Sequence, residues 1–99
     1  MNYRLYIGLN VQGGEEWEKS EAINIIISVC RSRGITALSL SDMQGIYTYD
    51  NGKTVFENTL VLLLVDFKGD IEGLVLSLKT ALKQECIMIE KLVNSFEFI

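Results

Sequence analysis

Apolar residues along this chain follow two alternating periods, which predict a small layered structure of strands and helices. Tyr3, Leu5, Ile7 and Leu9 alternate with Arg4, Tyr6, Gly8 and Asn10, the period of a strand buried on one face. Val11-Gln-Gly-Gly14 breaks that pattern. Glu15, Glu16 and Glu18 then open a helix, with their charges against the positive end of its dipole. Ala22, Ile23, Ile26, Ile27 and Cys30 keep helical spacing, Arg31 and Arg33 fall in the last turn, and Gly34 suits the residue that ends a helix.

The second half of the pattern begins with a broken strand. Ile35 to Leu40 reads as extended, Ser41 to Gly45 interrupts it, and Ile46 to Tyr49 resumes it, with Gly45 marking a bulge or bend. Asp50-Asn-Gly52 signals a hairpin, since Asn-Gly suits a two-residue type I′ turn. The return strand runs from Lys53 towards Phe67. Asp70 is the expected N-cap of a helix carrying the stripe Ile71, Leu74, Val75, Leu78 and Leu82. Cys86 to Glu90 returns to strand, and Asn94 to Ile99 either extends it or adds a C-terminal strand. The expected fold is α+β and ferredoxin-like: a βαββαβ order, both helices on one face of an antiparallel sheet, in one domain over residues 1–99. Leu60-Val-Leu-Leu-Leu-Val65 does not alternate, so it needs cover on both faces. The plainer reading is the central strand of a small domain with a few exposed aliphatics; the leading expectation is a homodimer in which two sheets pack face to face.

Composition narrows the choice of function. Thirteen acidic against nine basic residues give a net charge of −4. Phosphate-backbone binding relies on clustered Lys and Arg, so nucleic acid is not an expected partner, and a basic protein surface fits better. No basic and apolar leader is apparent after Met1, and the longest apolar run is too short to cross a bilayer, so the expected location is the cytoplasm. Cys30 and Cys86 stand alone without CxxC spacing, and the chain has no His. Zinc is not expected, no cofactor is expected, and both cysteines are read as free thiols, with a bridge between them as the alternative, since spacing does not give their separation.

Without His the usual general base, and the usual partner of a nucleophilic Ser or Cys, is missing. No phosphate-binding glycine motif or nucleophile elbow occurs. Paired carboxylates remain as acid and base, with Asp42 and Glu57 brought onto neighbouring strands by the hairpin. Against this stands the plainer reading of both as solvated surface charges. Tyr47 and Tyr49 share a strand face beside the hairpin, with Phe56 on the return strand and Tyr6 near them if the first strand is adjacent. Such aromatics stabilise sheets; alternatively they line a recognition groove, beside which Arg4 would pair with an anionic ligand group. Trp17 is expected to pack the start of the first helix against the loop.

Several short motifs resemble a bacterial family of unknown function whose members are often predicted lipoproteins. They are Tyr6-Ile-Gly-Leu9, Glu15-Glu-Trp17, Gly34-Ile-Thr36, Asp42 with Gly45, Gly52 with Glu57, and Lys83-Gln-Glu-Cys-Ile87. The export signal and lipid-attachment Cys of that family have no counterpart here, and the family implies no activity. The short acidic chain is also similar in style to accessory proteins of phages and mobile elements. The leading expectation is a non-catalytic binding protein on a dimeric sheet scaffold, acting through Arg4, Tyr6, Asp42, Tyr47, Tyr49 and Glu57. In concrete form it would be a phage-encoded inhibitor of a host defence factor, working by occlusion or by sequestering a nucleotide signal. The competing expectation is a small cofactor-free enzyme with a pocket between sheet and helices beside Asp42 or Glu57.

Overall fold

A computed structural model describes residues 1–11 and 14–99; Gln12 and Gly13, in the break after the first strand, lie outside the described residues. The elements are β1 (Asn2–Gly8), α1 (Lys19–Ser32), β2 (Ser39–Thr48), β3 (Thr54–Leu64), α2 (Ile71–Leu82) and β4 (Met88–Leu92). They form a four-stranded sheet in the order β2-β3-β1-β4, every neighbouring pair antiparallel. This is the ferredoxin-like arrangement expected from the sequence.

One parity rule organises the sheet. Tyr3, Leu5 and Ile7 of β1 stand opposite Leu64, Leu62 and Leu60 of β3. All of these but Tyr3 form one buried cluster with Ala22, Ile26 and Cys30 of α1 and Leu74, Leu78 and Leu82 of α2. Both helices therefore cover the same sheet face. Asp70 caps α2 as expected, its Oδ1 accepting from the Gly73 amide at 3.1 Å. Trp17 ties the entrance of α1 to the end of α2 by donating from Nε1 to the Leu82 carbonyl at 2.8 Å.

Five expectations need correction. Glu15 and Glu16 do not open α1, which starts at Lys19; they pair with the chain after β1, through the Val11 amide on the Glu15 carbonyl and a bridge between Asn10 and Glu16. Residues 35–38 are not a strand, because the Ile35 amide closes the end of α1 on the Cys30 carbonyl. The expected break at Ser41 to Gly45 is absent, since β2 pairs with β3 without interruption from Ser39 to Thr48. Ser, Asp and Gln have low strand preference, but ten successive partners on β3 override it. The hairpin is not a type I′ turn. Tyr49 and Lys53 bracket a three-residue loop, with the Gly52 amide bonded to the Tyr49 carbonyl and positive φ at Gly52 but not at Asn51. This is a type I turn followed by a glycine bulge. Finally, residues 94–99 form no strand.

The outward set of the Leu60–Val65 run is better covered within the chain than its pattern implied. Val61 is 8% exposed and Leu63 is half-buried, in a depression they share with Arg4, Leu92 and Phe96. The uncovered apolar surface lies instead on the β2–β3 hairpin, which projects past the helical layer and stretches the molecule to 46 × 27 × 22 Å. There Ile46 and Phe56, cross-strand partners, remain 60% and 59% exposed.

Candidate functional site

The same parity that sends Leu60, Leu62 and Leu64 to the helices sends Tyr6, Gly8, Glu57 and Tyr47 to the open face. There they line a groove of about 520 Å³. Its floor is β1, β2 and β3. One wall carries Tyr47 and Tyr49 near the hairpin, and the opposite wall is the turn after α2, from Lys83 to Cys86, with Met88. Lys83 ends α2 in the left-handed region (φ 54°), which turns the chain sharply towards this wall. Gln84 holds the wall in place, donating from Nε2 to the Asn10 carbonyl at 3.1 Å.

Glu57 sits at the centre of the floor, half-buried, with Gly45 as its partner on β2. Among the described residues its carboxylate enters no ion pair. A negative charge in a partly dehydrated groove, flanked by tyrosine rings and by Met43 and Val55, is disposed to meet a cationic ligand group. Gly8 and Gly45 leave the floor open on either side of it.

Tyr6 is fixed by its neighbour strand. Its hydroxyl donates to Glu90 Oε1 at 2.7 Å, and the same oxygen receives Arg4 Nε at 3.1 Å. The hydrogen bond to Glu90 holds the Tyr6 phenol above its ordinary pKa, with desolvation and the Glu90 charge adding to the effect and Arg4 opposing it. Tyr6 therefore stays protonated at neutral pH and serves as a fixed donor and apolar wall rather than as a base. Arg4 is engaged by Glu90 and lies outside the groove lining, so the expectation that it faces the ligand is not met in this arrangement.

The Asp42–Glu57 pair does not form. Asp42 stands opposite Leu60 and takes the helix-side parity, where Lys19 Nζ meets Oδ2 at 2.9 Å. The pair fails because 42 and 57 differ in parity in this register. Phe56 likewise lies on the face away from Tyr47 and Tyr49. Tyr6, Tyr47, Tyr49 and Glu57 are brought together as anticipated, but on the open face and not between sheet and helices. Gly8, Gln84, Met88 and Glu90 were missed. Glu90 was within reach, because the ferredoxin-like order places the last strand beside the first; the rest depended on turn geometry.

No family model and no curated protein matches the chain. Solved structures do. A phage SAM lyase in complex with S-methyl-5'-thioadenosine aligns with a TM-score of 0.68 at 23% identity, over 89% of this chain and 76% of that one. A phage SAM lyase in its apo state aligns with a TM-score of 0.66 at 26% identity, over 89% and 75%. These likenesses overturn the reading of a non-catalytic binding protein and inhibitor, because both of these structural neighbours are lyases, one of them holding S-methyl-5'-thioadenosine.

Proposed function

We propose that this chain is a lyase that cleaves S-adenosylmethionine and releases S-methyl-5'-thioadenosine. The observation that carries the reading is the conjunction of that fold with a half-buried carboxylate, Glu57, which enters no ion pair among the described residues and sits among Tyr6, Tyr47 and Tyr49 in a groove of about 520 Å³. A groove of this size suits a nucleoside ligand. Tyrosine rings suit the adenine, and a carboxylate suits the sulfonium cation.

The chemistry asks little of the protein, which agrees with a chain that has no His. The sulfonium is its own leaving group. When the bond from sulfur to the γ-carbon of the methionine portion breaks, the electron pair stays on sulfur and leaves a neutral thioether. The γ-carbon then bonds to an oxygen of the substrate's own carboxylate, closing a five-membered lactone. No proton is transferred, no water enters and no electron is exchanged with a cofactor. Charge is neutralised along this path, so apolar groove walls such as Met43, Val55 and Met88 favour it by limiting hydration of the separated charges. The role of the chain is to bind, fold and desolvate the substrate.

Acting on this methyl donor would place the protein in the cytoplasm. Self-association, at its simplest a homodimer, belongs to the same proposal, with a second copy covering the projecting hairpin around Ile46 and Phe56; light scattering at micromolar concentration tests it.

The direct experiment is to incubate the purified chain with S-adenosylmethionine and follow S-methyl-5'-thioadenosine by chromatography and mass. The thioether should appear well above the rate in buffer alone, and Glu57→Gln should lower kcat/KM by about 10–100-fold, the cost of removing one charged contact. Formation no faster than in buffer would overturn the proposal.

A further inference from the structure

The floor of the groove contains two glycines, Gly8 and Gly45, whose backbone conformation does not require glycine. Gly8 is the last residue of β1 and has no positive φ, so its conformation is open to any residue. Its partner across the ladder is Thr59, and its Cα lies on the open face between Tyr6 and Asn10. What a side chain there would meet is specific. A Cβ built on Gly8 would stand 2.5 Å from Glu57 Oε2, 2.7 Å from its carboxyl carbon and 2.8 Å from Oε1. The three nearest atoms all belong to one carboxyl group, which therefore lies flat against the bare backbone of β1. Gly45, on the other side of Glu57, differs: a Cβ there would meet the Tyr47 ring at 3.5 Å, an ordinary contact.

From this close approach we infer that Gly8 is a positioning residue, the seat that fixes the Glu57 carboxylate at the groove floor and so gives the site its selectivity for a cationic sulfur. The inference rests on the proposed lyase reading and adds to it the source of charge selectivity. The packing argument is direct. The obstructed atoms are the far end of a flexible side chain, so an added methyl group displaces the carboxylate without disturbing the core. The displaced group must swing away from β1, towards Gly45 or up into the volume the ligand would occupy, and either way it leaves its seat. A shift of about one ångström in a positioned group is enough to change rates or affinities by an order of magnitude or more. Sulfonium and thioether ligands differ in charge at one atom, so their relative affinity reports where that carboxylate sits.

The test uses two stable ligands on the whole chain: sinefungin, in which an amine-bearing carbon replaces the sulfonium, and S-adenosylhomocysteine, the neutral thioether. Calorimetry should show that the wild type prefers the cationic ligand. Gly8→Ala should reduce that preference about tenfold, a change of roughly 1.4 kcal/mol, with the thermal midpoint and the affinity for the neutral thioether held. In a Glu57→Gln background the same glycine substitution should leave the preference unchanged, because no charge remains to be positioned; this coupling is what a merely structural glycine would not produce. An undiminished preference in Gly8→Ala, or an equal loss in the Glu57→Gln background, overturns the Gly8 assignment alone. Failure of the wild type to bind either ligand overturns the reading of the site as a whole.

Discussion

Lysine placed at Leu62 should unfold the protein, and lysine placed next door at Leu63 should not. Leu62 is fully buried, between Leu5 on β1 and Leu40 on β2, against both helices. Removing a leucine from such a site costs about 2–5 kcal/mol through lost burial and imperfect filling. A lysine there must also shed its proton. From an ordinary pKa near 10.4 to pH 7, at about 1.4 kcal/mol per unit, that adds roughly 4–5 kcal/mol. The sum, about 6–10 kcal/mol, matches the whole stability of a typical domain, about 5–15 kcal/mol. Leu63 has the opposite parity, is half-buried beside Arg4 and Ser39, and gives a lysine a route to solvent for its ammonium. Its cost should be about 1 kcal/mol, a fall of about 4–8 °C in thermal midpoint for a domain this size. Circular dichroism melts at pH 7 decide the matter. A Leu62→Lys variant that melts within a few degrees of wild type, or an inverted order of the two, would refute the register on which the groove depends.

Other outcomes follow from single features. Gly52→Val should lose about 1 kcal/mol or more, because Gly52 sits at φ +83° with open space around it, so the cost is backbone strain alone; an unchanged urea midpoint would refute the glycine-bulge turn. Alkylation of the native protein should modify exposed Cys86 and spare buried Cys30, both reacting after denaturation; native labelling of both would contradict the packing of α1. Burial pushes the Cys30 thiol up. The unfolded thiol therefore ionises first, its stabilising contribution is complete below the ordinary thiol pKa near 8.5, and it is lost as pH rises through the higher folded value. Cys30→Ala should remove that part of any alkaline loss of stability.

The helices and central strands were legible because their signal is periodicity enforced by burial: Leu74, Leu78 and Leu82 face the core for the reason that they repeat. The β2 strand was only partly legible. Ser39 to Gly45 carries little strand preference, and its extended form is imposed by β3, a partner distant in sequence until the hairpin closes. The site was legible in composition more than in placement. Tyr6, Tyr47, Tyr49 and Glu57 could be named, but which face they share depends on the parity at which β2 meets β3. A one-residue slip inverts every assignment. Asp42 shows the consequence: its spacing from Glu57 suggested a pair, and the observed register sends it to Lys19 on the other side of the sheet.

The absence of histidine argues against catalysis only for reactions that must move a proton. A sulfonium substrate changes what a site has to provide. Its leaving group is already activated, its nucleophile is already attached, and the barrier lies in bringing two charged ends of one flexible molecule together in water. Enclosure and orientation address that barrier without acid or base, through loss of solvent from the reacting charges and restriction of the chain. A single carboxylate near the sulfonium binds the substrate more strongly than the neutral thioether that leaves. By itself it favours capture and release over the bond-breaking step, since its attraction fades as the charge is neutralised. Loss of Glu57 should therefore raise KM more than it lowers kcat. The apolar and aromatic walls should carry the reverse signature: replacing Tyr6 with a small residue opens the groove to water and should fall mainly on kcat. Steady-state kinetics of Glu57→Gln beside Tyr6→Ala separate the two contributions. A loss confined to kcat in the first variant would show that the carboxylate acts on the reacting carbon and not on the sulfonium.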